Sequence, residues 1–323
     1  MAIISSCTAS TLKDAATSLG SGNLVAFPTE TVYGLGVDAT NKDAVAHLYK
    51  VKGRPSDHPL IVHISSMAIL DKWAREIPKY AIKLAHTFWP GPMTLILPKT
   101  NLAMDFITGN QDSVGIRVPS HPLASALLTE FEGQGGLGVA APSANRFGKV
   151  SPTTADDVFE ELSGYLTPYD LILDGGPCEV GVESTIINCT EYIPEILRPG
   201  AITANMISDL VGLQVNQIAT ANNIPTIKAP GLLQSHYAPK AKVFISTTPN
   251  PGDGFIALSY IPTPPGAIRL VSPENNKEYA QLLYKALRLA DTKQLPNVIV
   301  IPPTGDDIAI AICDRLEKSV YKH

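Results

Sequence analysis

Short apolar runs separated by amphipathic segments leave a chain few folds to choose from, and residues 24–64 hold the densest example. Apolar runs at 24–27 and 60–64 flank a helical pattern over 42–51, with Ala44, Val45, Leu48 and Val51 on one face. Each run has the length of a buried strand, and the spacing between them is that of a helix with one face in a core. The unit they imply is α/β. Its polar residues gather where strand and helix stop: Thr29, Glu30, Thr31, Tyr33, Gly34 and Gly36 after the first run, and Lys50, Lys52 and Arg54 around the helix end. Open α/β sheets bind ligands at such strand ends. Hydroxyls, glycines expected to permit a tight backbone, and three cations together suit a phosphate-bearing ligand. Cations at a helix C-terminus also complement its dipole and are otherwise solvated. For Lys50 that plainer reading is preferred. Around Lys52 and Arg54 it is not, because Gly53 and Pro55 fix a loop that a solvated face does not need.

The rest of the chain repeats the alternation. Helical patterns run over 10–19, 79–88, 123–131 and 202–210, and strands are expected at 93–97, 114–118, 137–141 and 171–174, with a hairpin over 183–187 and 195–200. The stretch 101–112 reads as loop. Arg117 falls inside the strand 114–118, where it either faces water or meets a specific anion. His58 and His63 fit no zinc spacing, and His63 at the end of an apolar run reads as a satisfied, buried or half-buried histidine. The glycine-rich 133–138 formally matches G-x-G-x-x-G, but it follows a helix and precedes a strand, the reverse of a dinucleotide fingerprint. Ala140-Ala141-Pro142-Ser143-Ala144-Asn145 suits either close approach to a ligand or an ordinary polar turn.

A chain of 323 residues exceeds the usual single core, so two domains are expected. The periodicity lapses over 212–240, which is long for a passive connection. Beyond it, apolar runs at 243–245, 255–258 and 298–301 alternate with helical patterns at 279–289 and 308–316. The expected division is a first domain over 1–211, a linker over 212–240 and a small α/β domain over 241–323. With 45% hydrophobic and 17% charged residues the chain is globular, and a net charge of −5 gives no general basic surface for nucleic acid. Cys7, Cys178, Cys189 and Cys313 lack metal or disulfide-framework spacing, and no apolar run is long enough to cross a membrane. A cytoplasmic location is expected.

Several motifs occur in a set order: F-P-T-E-T-V-Y-G-L-G, K-G-R-P-S-D-H-P-L-I-V-H-I, W-P-G-P-M-T, S-V-G-I-R-V-P, A-P-S-A-N, V-E-S-T-I, L-R-P-G-A-I and H-Y-A-P. Together they resemble the threonylcarbamoyl-AMP synthases, the YrdC-like family, in its longer form with an additional C-terminal domain. The resemblance implies a YrdC-like twisted mixed sheet followed by a small Rossmann-like α/β domain. It implies an enzyme that joins L-threonine, bicarbonate and ATP into threonylcarbamoyl-AMP and releases pyrophosphate, after which a separate transferase modifies tRNA. By the same resemblance Lys50, Lys52, Arg54, Ser143 and Asn145 serve the reacting phosphates. ATP is contacted by Lys52, Arg54, His58, Ser113, Ser143, Ser151, Arg198 and Tyr237. L-threonine is contacted by Thr31, His63, Arg117, Ala141 and Ser184, with the Arg117 fork on its carboxylate. Mg2+ comes with ATP, no metal is held by the protein alone, and the linker folds over the site as a lid. The protein is expected to act as a monomer.

Three departures from the family pattern stand out. His58 replaces a frequent Asn, Phe147 replaces a small polar residue, and residues 231–235 differ from the usual lead into H-Y-A-P. Two other readings compete. A YrdC-like RNA-binding module is disfavoured by the acidic balance and by the amino-acid set around Arg117. A carbamoyl-adenylate-forming domain like that of hydrogenase maturation factors would bring zinc-finger and acylphosphatase segments, which this sequence does not show.

Overall fold

The computed structural model describes residues 3–6, 8–217, 227–231, 237–246 and 248–320. Two sheets organise them. The first is built from β1 (Ile3–Ser6), β2 (Val25–Phe27), β3 (Gly34–Asp38), β4 (Ile61–His63), β5 (Met93–Pro98), β6 (Ser113–Arg117), β7 (Val139–Ala140), β8 (Leu171–Asp174), β9 (Thr185–Asn188), β10 (Glu195–Arg198) and β11 (Asn216–Gln217). Their order across the sheet is β1-β8-β2-β3-β7-β4-β6-β5-β9-β10-β11, with parallel and antiparallel pairs mixed. The second holds β12 (Lys242–Ile245), β13 (Gly254–Ile256), β14 (Ile268–Val271) and β15 (Asn297–Val300) in the order β12-β15-β13-β14, all parallel. This is the mixed sheet and small Rossmann-like sheet expected from the sequence. Among the described residues no helix is long and apolar enough to cross a membrane.

The first sheet is covered on both faces, which explains its continuous apolar runs. Val25 and Phe27 pack with helices Ala9–Gly20 and Pro122–Gly133. Leu24 and Ala26 point the other way, into the cluster that holds the apolar face of helix Lys42–Lys52. Alternation along a strand sends neighbouring residues to opposite faces.

The unit over 24–64 differs from the simple strand-helix-strand expected. Strands β2 and β4 are not neighbours, because β2 turns back into β3 as an antiparallel hairpin, and β3 and β7 lie between them. Gly34 and Gly36 are therefore strand residues and do not form a turn. A Cβ on Gly36 would stand 2.7 Å from the Phe27 ring and 2.8 Å from Val139 Cγ1, so glycine is needed there for packing. The stretch 101–112 holds a short helix, Asp105–Thr108. Helix Ala155–Leu162, which the periodicity did not announce, is nucleated by a reciprocal capping box between Thr154 and Asp157. It buries Ala155, Val158 and Leu162 at helical spacing.

The two halves share a core. Val32, Val150 and Val182 of the first half belong to the same buried cluster as Val243, Ile256, Leu283, Leu287 and Leu316 of the second. Gly181 sets the distance of closest approach. Its φ is +81°, and a Cβ there would come 2.4 Å from the Ala280 carbonyl oxygen in helix Asn276–Thr292. Backbone cannot yield as a flexible side chain can. Gly181→Ala should therefore cost roughly 1–3 kcal/mol from overpacking alone. Urea unfolding should show the loss, and a variant as stable as the parent would mean that the halves do not depend on this contact.

Candidate active site

Strand register assembles the site. His63, the last residue of β4, is the cross-strand partner of Arg117 in β6 and of Val139 in β7. Ala141, Pro142 and Ser143 leave β7, Thr31 and Val32 precede β3, and Glu183 and Ser184 lead into β9. With Arg54, Arg198, Pro230, Gly231 and Tyr237 these residues line one cavity of about 530 Å3, counting its open mouth. A smaller hollow beside it contains Ser113, and the two share Ile61 and Pro230. Segment 227–231 closes one side. The Gln111 side chain pairs with both the N–H and the carbonyl of Lys228, at 2.7 and 3.0 Å, and the Arg198 guanidinium donates to the Pro230 carbonyl at 3.2 Å.

Arg117 is buried, at 5% exposure, which removes the water-facing alternative. The anion that it meets within the chain is Glu30. Nη2 of Arg117 donates to Glu30 Oε1 at 2.6 Å and to Thr31 Oγ1 at 3.0 Å, and the Ser120 N–H holds the other carboxylate oxygen. Burial raises the Glu30 pKa, but the Arg117 charge and its hydrogen bond outweigh burial and hold it below the usual range. His63 is buried beside Arg117. Burial first, and then the guanidinium, push its pKa down to about 3, so the ring is neutral at physiological pH. Arg117 Nε, Arg54 Nε and His63 Nδ1 are buried and have no hydrogen-bond partner among the described residues. Unanswered buried polar atoms are costly, and several on residues that line one cavity mark it for a polar or anionic ligand.

The other side of the cavity centres on Glu183. Its carboxylate accepts from Ser151 Oγ at 2.6 Å, from Arg315 Nε at 2.7 Å and from the Tyr284 hydroxyl at 2.9 Å. Burial alone would raise its pKa, yet Arg315, Arg198 and these hydrogen bonds hold it down to about 2. Arg198 also grips the start of β9, donating to Ser184 O and Oγ at 3.1 and 3.2 Å.

Known proteins resemble this chain in sequence and fold. Residues 17–200 match the Sua5/YciO/YrdC family profile, described as telomere recombination, and residues 202–320 match the threonylcarbamoyl-AMP synthase C-terminal domain. A Pyrococcus abyssi threonylcarbamoyl-AMP synthase is 44% identical over 74% of this chain and 68% of its own. One from Bacillus subtilis is 46% identical over 72% and 66%. The crystal structure of Pyrococcus abyssi Sua5 complexed with L-threonine superposes with a TM-score of 0.88 at 35% identity, over 99% of this chain and 100% of that one. The chain belongs to the threonylcarbamoyl-AMP synthase family.

Apart from Ser113 in the adjoining hollow, the expected site residues separate into three groups. Thr31, Arg54, His63, Arg117, Ala141, Ser143, Ser184, Arg198 and Tyr237 line the cavity together. Lys52, Asn145 and Ser151 stand behind it. Lys52 is buried, and its Nζ donates to the carbonyls of Ser143 and Asn145, so it braces the A-P-S-A-N turn instead of facing the cavity. The Asn145 side chain donates to Arg146 O and Lys149 O within that turn. Lys50 is exposed on the helix surface and His58 is half-buried, and neither lines the cavity. Helix geometry explains the split between the two lysines. Lys50 and Lys52 both lie in helix Lys42–Lys52, where residues two apart project to nearly opposite faces, so Lys52 faces inward and Lys50 outward, and Gly53, left-handed at φ 60°, ends the helix just beyond.

His58 packs edge-on against Phe147, with ring centroids 5.3 Å apart, and Arg54 lies 5.8 Å over the same ring. Two of the three departures from the family pattern are thus one contact. Of the third, Gly231 lines the cavity, while residues 232–235 and His236 of the expected lid lie outside the described residues. Sequence reasoning placed Glu30 at the strand end without its pairing role, and it missed Glu183, Tyr284 and Arg315. A lone carboxylate inside an otherwise buried motif is the available signal, because it must meet a cation.

The buried titrating groups make stability depend on pH. His63 has its folded pKa depressed to about 3, so below its ordinary value of 6.5 the unfolded chain takes the proton and the folded one does not. Glu183, held at about 2 against 4.5, contributes stability that is present above 4.5 and is lost as the pH falls toward 2. Both act in the same direction. Stability should fall steadily from pH 6.5 downward, by up to about 1.4 kcal/mol per pH unit for each such proton. Replacing His63→Gln should flatten the upper part of the curve. An unchanged slope between pH 6 and about 4.5 in that variant would mean that His63 titrates normally.

Proposed function

We infer that this chain is an adenylate-forming nucleotidyltransferase, a threonylcarbamoyl-AMP synthase that joins L-threonine, bicarbonate and ATP and releases pyrophosphate. The observation that carries the reading is the set of buried polar atoms on Arg54, His63 and Arg117, unpaired among the described residues, on side chains that line one cavity. The family of the chain and the threonine-bound Sua5 structure support it.

L-threonine lies on the side of Thr31, His63, Arg117, Ala141 and Ser184. Arg117 is already held by Glu30 through one nitrogen, so the guanidinium is oriented before the carboxylate arrives. Neutral His63 offers a hydrogen bond without a second positive charge there. ATP lies toward Arg54, Ser143, Arg198 and Tyr237, with Ser113 in the adjoining hollow, and with Ser151 and Asn145 supporting the wall. The reaction drives a carbamate oxygen onto the α-phosphate while charge builds on the leaving pyrophosphate. Arg54 and Arg198 are cations fixed in a buried wall, and such preorganised charge stabilises that transition state without rearranging. Burial lowers the Arg54 pKa to about 10, which leaves it charged at physiological pH. Lys52 contributes by shaping the Ser143 turn, His58 by packing on Phe147 beside Arg54, and Lys50 takes no part in the chemistry.

Magnesium arrives with ATP, the triphosphate supplying its ligands. Among the described residues no group of three or more His, Cys, Asp or Glu stands ready to hold a metal. The linker over 212–240 acts as a lid between a first domain over 1–211 and a second over 241–323. The product passes to a separate transferase that modifies tRNA. The protein works as a monomer in the cytoplasm, in keeping with the free thiols of Cys178, Cys189 and Cys313.

Pyrophosphate release should require both L-threonine and bicarbonate. Serine should replace threonine weakly, because one missing methyl is worth ~1–3 kcal/mol. Equal release with no amino acid present would sink the reading in favour of plain ATP hydrolysis.

Arg117→Ala should weaken threonine binding by about 2–5 kcal/mol. It should also cost about 3–5 kcal/mol of stability, because Glu30 is left buried without its cation. Adding Glu30→Gln should restore the stability and not the binding. Calorimetric titration of threonine into the folded double variant decides the matter, and parental affinity would remove Arg117 from the site.

A further inference from the structure

Three residues placed on the nucleotide side, Ser151, Arg198 and Tyr237, converge on Glu183 and on the second-domain groups that hold it. Ser151 donates to Glu183, and Arg198 lies close enough for its charge to be felt there. Glu183 is held by Arg315 of helix Ala309–Ser319 and by Tyr284 of helix Asn276–Thr292. The Arg315 fork makes a second connection, Nη2 donating to the carbonyl of Pro199 at 3.0 Å, one residue beyond Arg198. Its face lies 5.4 Å from the Tyr237 ring centroid. Tyr284 stacks on the other partner of that contact, with ring centroids of Tyr237 and Tyr284 5.7 Å apart and planes 25° from parallel. Tyr237 is held in a left-handed backbone conformation, φ 62°, which a residue with a side chain keeps only when its surroundings impose it.

Arg315 is 1% exposed and lines neither the cavity nor the adjoining hollow. It cannot touch substrate in this arrangement, yet each partner beyond its own helix lies on the nucleotide side. We propose that Arg315, with Tyr284, is a positioning residue for the ATP half of the site, so that the second domain sets the geometry of Glu183, the Arg198 strand end and Tyr237. The proposal rests on the reading above that Ser151, Arg198 and Tyr237 serve ATP. The simpler alternative is a buried ion pair that only docks one domain on the other. Docking alone lowers stability when broken, whereas positioning also changes how tightly ATP is used.

The two are separated by pyrophosphate release from the full chain, with ATP varied at saturating threonine and bicarbonate, beside the thermal midpoint. Arg315→Met should raise the KM for ATP about tenfold or more, the effect of losing a charge-assisted contact. Arg315→Lys keeps the charge without the planar fork and should recover part of the loss. Tyr284→Phe keeps the ring stack, loses the hydroxyl on Glu183, and should raise the KM by a smaller factor. Threonine affinity measured without nucleotide should stay at the parental value in all three. A parental KM for ATP in Arg315→Lys and Tyr284→Phe, with only the thermal midpoint lowered, would overturn the proposal even if Arg315→Met does not fold. If the parent chain releases no pyrophosphate, the functional reading fails. Calorimetric ATP binding to the same variants then tests the positioning role separately, and equal affinity in all of them would overturn it.

Discussion

A carboxylate removed from water must be answered by cations and hydroxyls, and Glu183 is answered from both halves of the chain. Ser151 comes from the first half and Tyr284 and Arg315 from the second. A buried ion pair is a weak source of net stability, because desolvation offsets its attraction, but breaking one partner away is expensive. The pair therefore acts as a lock on arrangement. It sits beside the shared apolar cluster of Val32, Val150 and Val182 with the second domain, and Gly181 lets that domain come close enough to form it. Cavity wall and domain contact are the same piece of chain.

The cavity itself has two electrostatic halves. Near Arg117 positive charge is balanced by Glu30 and the histidine is neutral, so one guanidinium lines the cavity in a nearly compensated setting. Toward Arg54 and Arg198 the balance is more positive, since Glu183 is committed to Arg315. A zwitterionic amino acid and a polyphosphate differ in charge in just that way.

Much of this was legible in the chain. Helix Lys42–Lys52, helix Lys79–Phe88 and strand Leu171–Asp174 follow from periodicity, because one buried face or two buried faces leave a clear pattern. The motifs carrying Arg54, His63, Arg117 and Ser143 identified the family and most of the cavity wall. What failed did so for identifiable reasons. Gly34 and Gly36 are expected from the sequence to permit a tight backbone, whereas at Gly36 the need for glycine comes from Phe27 and Val139 packed against it within the sheet. Strand β3 carries two glycines in five residues, so its local preference does not announce a strand.

Composition and spacing determined the fold class, the two-sheet organisation and the residue types available for binding anions, because these depend on local periodicity and on motifs that are contiguous in the chain. The tertiary structure alone decided which cation faces the cavity. Lys52 and Arg54 are two residues apart, yet the left-handed Gly53 between them turns one onto the Ser143 and Asn145 carbonyls and leaves the other on the cavity wall. It alone decided that Arg117 meets Glu30 and that Glu183 meets Arg315, partners 87 and 132 residues apart. Burial and pairing across such separations follow from packing, and no local pattern in the chain records them.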